Sequence, residues 1–207
     1  MQRSLLWKWL QIPCRIFTSL YFDLRVYGIK NVPTTGPALL LANHQSYLDP
    51  VLVAVRLYRP VSFFAKSELF ENRYFGALIR ALHAIPVRRG EGDIAAVREV
   101  LRQLDNGRVI NLYPEGTRTK DGQVQSLQKG IALILRKAHV PVIPVTIDGS
   151  FEAWPRKAKI FHSYPINVMY GKPLALEGMK ADEVLQTVEN ALRVQLAELR
   201  SLRGNSL

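Results

Sequence analysis

The chain has 207 residues, of which 48% are hydrophobic and 22% charged, a balance that excludes a globally disordered protein and allows one domain with a full core. Its 28 Lys and Arg against 17 Asp and Glu give a net charge of +11, which favours anionic partners: nucleic acid, an anionic membrane surface or phosphate-bearing substrates. The single cysteine, Cys14, excludes an internal disulfide and fits a reducing compartment.

Residues 1–30 carry an apolar stripe that includes Leu6, Trp9, Leu10, Ile12, Ile16 and Leu20, beside Lys8, Arg15 and Arg25. The charges break the ~18 uninterrupted apolar residues that a spanning helix needs. No small-residue cleavage site marks a removable signal peptide. Trp and Tyr favour the bilayer interface, and Lys and Arg favour anionic headgroups. The segment therefore predicts an amphipathic helix, bent near Pro13 and lying on a membrane surface. A helix packed on the protein's own core is the alternative.

Residues 31–207 read as one domain in which strands and helices alternate. The predicted strands cover 38–42, 61–65, 84–87, 108–113, 142–147 and 166–170. That at 84–87 contains Pro86 and belongs at an edge or a strand end. Helices are predicted over 50–57, 67–82, 127–138 and 184–199, and over a span from Asp93, an N-cap candidate, to a stop at Gly107. The order predicts an α/β fold, with a largely parallel or mixed sheet flanked by helices. In such sheets ligands gather at the carboxyl ends of strands.

Three polar clusters fall at those ends: Asn43-His44 with Asp49, Arg88-Arg89-Gly90, and Glu115-Gly116-Thr117-Arg118. Histidine can accept a proton at neutral pH, and a carboxylate on its other ring nitrogen fixes the tautomer. Five positions apart on a regular helix, His44 and Asp49 would stand ~140° apart, so the pair requires His44 to lie in the turn before a helix. Alone, Asp49 before Pro50 reads equally as a helix cap. Gly116 permits close backbone approach to a ligand, Arg118 offers a planar fork for phosphate, and the neighbouring threonines offer hydroxyl donors. Ser46 is too near His44 in sequence to serve as its nucleophile, and no Gly-x-Ser-x-Gly elbow occurs. His83, His139 and His162 show no metal-site spacing.

Asn43-His44-x4-Asp49, followed 71 positions after the histidine by Glu115-Gly116-Thr117-Arg118, closely resembles the glycerolipid acyltransferase family that includes the 1-acylglycerol-3-phosphate acyltransferases. Weaker blocks resemble that family at Ile85–Arg89, where Arg88 stands in place of the usual Asp or Asn, and at Val140–Pro144. The resemblance implies that His44 is a general base oriented by Asp49. It implies that Glu115, Gly116, Thr117 and Arg118 organise the acceptor, with Arg89 and Arg118 near its phosphate. The donor is then acyl-CoA or acyl-carrier protein, and neither metal nor cofactor is expected. The implied partners are a lysophospholipid, an acyl thioester and an anionic membrane surface, and no nucleic acid. The implied location is monotopic, on the cytoplasmic face of a membrane, the inner one if the source is bacterial. Two alternatives stay open: the same chemistry on another acceptor, such as glycerol-3-phosphate, another lysophospholipid or a lyso-aminolipid, and a non-catalytic basic protein that binds membrane or nucleic acid.

Overall fold

The computed structural model describes residues 5–87 and 93–204. Helix α1 (Leu5–Tyr21) leads into β1 (Arg25–Tyr27), β2 (Ala38–Ala42), α2 (Asp49–Ala54) and β3 (Val61–Lys66). Then come α3 (Arg73–Ala81), β4 (Ile85–Val87), α4 (Asp93–Asp105), β5 (Val109–Leu112) and α5 (Lys129–Lys137). The chain continues through β6 (Val142–Asp148), the single turn α6 (Ser150–Ala153), β7 (Asn167–Tyr170) and α7 (Ala181–Gly204).

All seven strands form one sheet in the order β1-β7-β6-β2-β5-β3-β4. Strands β2 to β6 are mutually parallel, β7 runs antiparallel to β6, and β1 pairs parallel with β7, so the sheet is mixed as expected. Strand β2 lies centrally with every residue buried, which is why its sequence is an unbroken apolar run and not an alternating one. Successive side chains still point to opposite faces. Ala38, Leu40 and Ala42 pack with Leu52 and Val53 of α2 and with the end of α1. Leu39 and Leu41 pack with Val100 of α4, Ile134 of α5 and Val188 of α7. Pro86 sits in the edge strand β4, where the missing N–H costs no ladder bond in the sheet interior.

The structure corrects three expectations. The segment 1–30 is not helical throughout: α1 ends at Tyr21, Asp23 takes a positive φ of 43°, and Arg25–Tyr27 joins the sheet. Phe22 and Leu24 are buried in the core. Pro13 lies inside α1 without ending it. The predicted helix 67–82 is divided into a 3-10 turn at Ser67–Phe70 and α3, because the Asn72 side chain accepts from the N–H groups of Tyr74 and Phe75 and starts a new helix. Gly76 is needed there, since a Cβ would run into the backbone of Phe70. Finally, Asp49 begins α2 as its first helical residue, with Leu48 in the cap position, so its carboxylate is free for another task.

Candidate active site

The chain leaves β2 at Ala42 and runs as an irregular loop until Asp49. Asn43 fixes that exit: its side chain donates to the carbonyl of Ile147 (2.9 Å) and accepts from the N–H of the same residue (2.7 Å), clipping the end of β2 to β6. His44 therefore lies in the turn, as the pair requires. Its Nδ1 stands 2.7 Å from Asp49 Oδ2.

Asp49 is completely buried and accepts four hydrogen bonds. Its Oδ2 takes the His44 ring, the Gln45 N–H at 2.6 Å and the Ser46 N–H at 2.8 Å. Its Oδ1 takes the Ser150 hydroxyl at 2.8 Å. A carboxylate is the side chain that accepts so many donors, and it assigns the ring proton to Nδ1. Nε2 has no bonded partner among the described residues and is left as the acceptor. The ring stacks on Tyr113, with centroids 4.0 Å apart and planes inclined by 19°.

The second motif holds the same histidine by its backbone. Glu115 Oε1 accepts the His44 N–H at 2.8 Å, and the Thr119 N–H donates to the His44 carbonyl at 2.7 Å. Glu115 Oε2 accepts the Gln125 N–H at 3.0 Å. With 2% exposure and both oxygens engaged, Glu115 faces inward and braces the loop. Burial raises its carboxyl from 4.5 to about 7, against the two N–H bonds that lower it.

A folded value above the unfolded one means that the fold prefers the protonated form. The stability this group contributes is complete below pH 4.5 and is lost as pH rises through about 7, a displacement worth about 3 kcal/mol. Denaturant titrations at pH 5 and pH 8 should show wild type losing about that much more stability over the interval than Glu115→Gln. An equal loss in both proteins refutes the assignment.

Gly116 turns the loop with φ 68°, and a Cβ there would crowd the Gln128 side chain. Gly116 and Thr117 are exposed at the tip, whereas Thr119 is buried with its hydroxyl donating to Asp121 at 2.8 Å. The Arg118 guanidinium lies 3.5 Å from the Tyr47 ring centroid, and its Nη1 is buried without a hydrogen-bond partner among the described residues. The fork is thus held in place by an aromatic face with a donor unspent. Arg88 and Arg89 lie outside the described residues. Ser46 is buried with its hydroxyl 3.2 Å from the Trp154 carbonyl.

Sequence reading did not single out Ser150, Tyr47, Gln45 or Gln125. Gln45 braces the loop from below, its amide donating to the Gly122 carbonyl at 3.1 Å and accepting from the Phe151 N–H at 3.3 Å. Ser150 follows the buried strand β6 directly after Asp148-Gly149, so the strand-end rule that marked the other clusters marks it too.

Fold and site together define the acyltransferase class: a mixed α/β sheet with Asn-His-x4-Asp at one strand end and Glu-Gly-Thr-Arg at the end of its neighbour. Residues 23–148, more than half of the chain, match the Acyltransferase family, and the chain belongs to it. It is 27% identical over 186 residues to a chloroplast 1-acyl-sn-glycerol-3-phosphate acyltransferase of Arabidopsis thaliana, covering 88% of this chain and 50% of that one. It is 24% identical over 192 residues to the Bacillus subtilis protein of the same name, covering 90% of this chain and 93% of that one. The crystal structure of the 1-acyl-sn-glycerophosphate acyltransferase from Thermotoga maritima superposes with a TM-score of 0.80 at 30% identity, over 93% of this chain and 80% of that one. The chain thus spans about half the length of the plant relative and nearly all of the bacterial one.

Proposed function

We propose that the protein transfers a fatty acyl chain from an acyl thioester to the sn-2 hydroxyl of 1-acyl-sn-glycerol-3-phosphate, giving phosphatidic acid. The observation that carries this reading is His44, bonded at Nδ1 to a buried carboxylate and open at Nε2. The acceptor is taken from the names of the relatives in two bacteria and a plant.

In the proposed reaction His44 Nε2 takes the proton of the acceptor hydroxyl as its oxygen attacks the thioester carbonyl. Asp49 steadies the imidazolium that forms. The tetrahedral intermediate collapses to the ester, the carbon–sulfur bond breaks, and the departing thiolate takes the proton back from His44. Every atom is accounted for with no covalent enzyme intermediate. General-base assistance of this kind contributes ~10²–10⁴ in rate. Arg118 binds the acceptor phosphate, with Arg89 assigned alongside it from the sequence. Gly116 and Thr117 form the exposed rim of that loop, and the inward Glu115 keeps it against His44.

Among the described residues no helix is long and apolar enough to cross a membrane. Helix α1 instead exposes Trp9, Ile12, Ile16 and Leu20 on the side away from Thr18, which is buried. That stripe supports a monotopic association with one leaflet, which we assign, from the family resemblance, to the cytoplasmic face.

The test supplies purified protein with acyl-CoA or acyl-carrier protein and a panel of acceptors that includes lysophosphatidic acid and glycerol-3-phosphate. Turnover on lysophosphatidic acid is the expected result. Turnover on another acceptor alone moves the substrate, and turnover on none overturns the reading. Within the same assay Arg118→Ala should raise KM for lysophosphatidic acid by ~10- to 100-fold, the loss of a charge-assisted fork, with a smaller change in kcat. An unchanged KM would remove Arg118 from the phosphate site.

A further inference from the structure

Two apolar stripes, and not one, look away from the same face of the sheet. Helices α1, α2 and α3 all lie on that face. Cys14 and Tyr21 of α1 and Leu52 of α2 pack with Leu40 of β2, while Ile79 of α3 packs with Phe63 of β3. Leu40 and Phe63 both pair with Asn111 of β5, which places them in one row on one side. Helices α4, α5 and α7 cover the other side.

On α3 the buried residues are Gly76 and Ile79. Opposite them, Tyr74 is 82% and Leu78 39% exposed, one turn apart, with Phe75 at their flank. On α1, Trp9, Ile12, Ile16 and Leu20 form the corresponding outward row. Both rows lie on the side of the sheet that α2, whose first residue is Asp49, also covers.

Charge divides in the same way. The sequences of α1, α2 and α3 contain one acidic residue, Asp49, and it is buried. Basic residues on them include Arg15 and Arg73. The helices of the opposite side, α4, α5 and α7, carry seven acidic residues, Glu99, Glu183, Glu189 and Glu198 among them, against eight basic ones. Glu68 and Glu71 precede α3 in its entry turn, outside the outward row. Two apolar rows on one side of the sheet, on helices whose unburied charges are basic, fit a broad anionic plane better than a narrow peptide.

We infer that α3 is a second membrane-contacting element, which seats the enzyme on an anionic leaflet together with α1 through Tyr74, Phe75 and Leu78. The inference rests on the membrane association proposed above. Contact at both helices fixes the tilt of the domain on the leaflet, on the side of the sheet that α2 covers.

The test uses the full chain with Cys14→Ala and one new cysteine bearing an environment-sensitive fluorophore. Ile16→Cys reports α1, Tyr74→Cys and Leu78→Cys report α3, and Val194→Cys on α7 reports the far side. Vesicles of phosphatidylglycerol and phosphatidylcholine are added. Blue-shifted emission at 16, 74 and 78 but not at 194 is expected, and the double variant Tyr74→Glu with Leu78→Glu should bind these vesicles ~10-fold or more weakly. Thermal melts confirm that each variant is folded. A shift at 16 without one at 74 or 78 overturns the inference and leaves the association through α1 standing. No shift anywhere overturns both. A concentration-dependent shift at 78 without vesicles means that a second copy covers α3, which also overturns it.

Discussion

Replacing His44 by alanine should lower acyl transfer by ~10³-fold or more while leaving the protein folded. The ring is anchored at one nitrogen and one face, by Asp49 and Tyr113, and its removal breaks one hydrogen bond and one stack. The backbone of residue 44 keeps its bonds to Glu115 and Thr119 whatever the side chain. Stability should therefore fall much less than activity. Single-turnover rates on lysophosphatidic acid, set beside circular dichroism and a thermal melt, separate the two. Near wild-type turnover would remove His44 as the base.

Asp49→Ala should behave differently, losing activity and stability together. Four donors converge on this carboxylate: an imidazole N–H, two backbone N–H groups and the Ser150 hydroxyl. All but the ring belong to fully buried residues, so water cannot replace the lost acceptor cheaply. We expect about 3–5 kcal/mol of lost stability, and a fall in kcat of ~10²-fold or more because the imidazole loses its tautomer and its counter-charge. Ser150→Ala is the control, since it removes one bond to Oδ1 and leaves Oδ2 on the ring. It should cost about 1 kcal/mol with turnover little changed. Asp49→Ala with full activity, or Ser150→Ala as inactive as Asp49→Ala, would contradict the division of labour between the two carboxylate oxygens.

The sequence discloses the site more fully than it discloses the outline of the fold. Polar clusters after apolar runs mark strand ends, and the helical geometry of a five-residue spacing already demands that His44 precede α2. Strand β1 escapes such reading because three residues cannot display a period, and α6 escapes because it is one turn long. The break before α3 hangs on the Asn72 cap, a local competition that apolar periodicity does not register. Glu115 is the instructive case among the site residues. Its position in the motif is plain, but spacing carries no direction, and only the fold reveals that the carboxylate turns inward to the His44 N–H. Ser150 stands at a strand end that the same rule marks, but its bond to Asp49 spans 101 positions, and no local pattern shows that pairing.

The register of β2 against β5 has a consequence for how this enzyme can change. Leu41 and Leu112 are direct partners on adjacent strands, so the 71 positions separating His44 from Glu115 shrink to a single strand spacing. After α2, which carries Asp49, the stretch from β3 through α4 is an excursion that leaves the middle of the sheet, builds one border and returns. None of the bonds that join His44 to Asp49 and Glu115 comes from this stretch, although β3 pairs with β5. The chain thus separates the chemical hinge from a module that contains both the arginine pair at 88–89 and the outward row of α3. On the roles proposed above, grafting this one segment from a relative is expected to alter the contribution of the arginine pair and of α3 while the His44–Asp49 pair keeps its place.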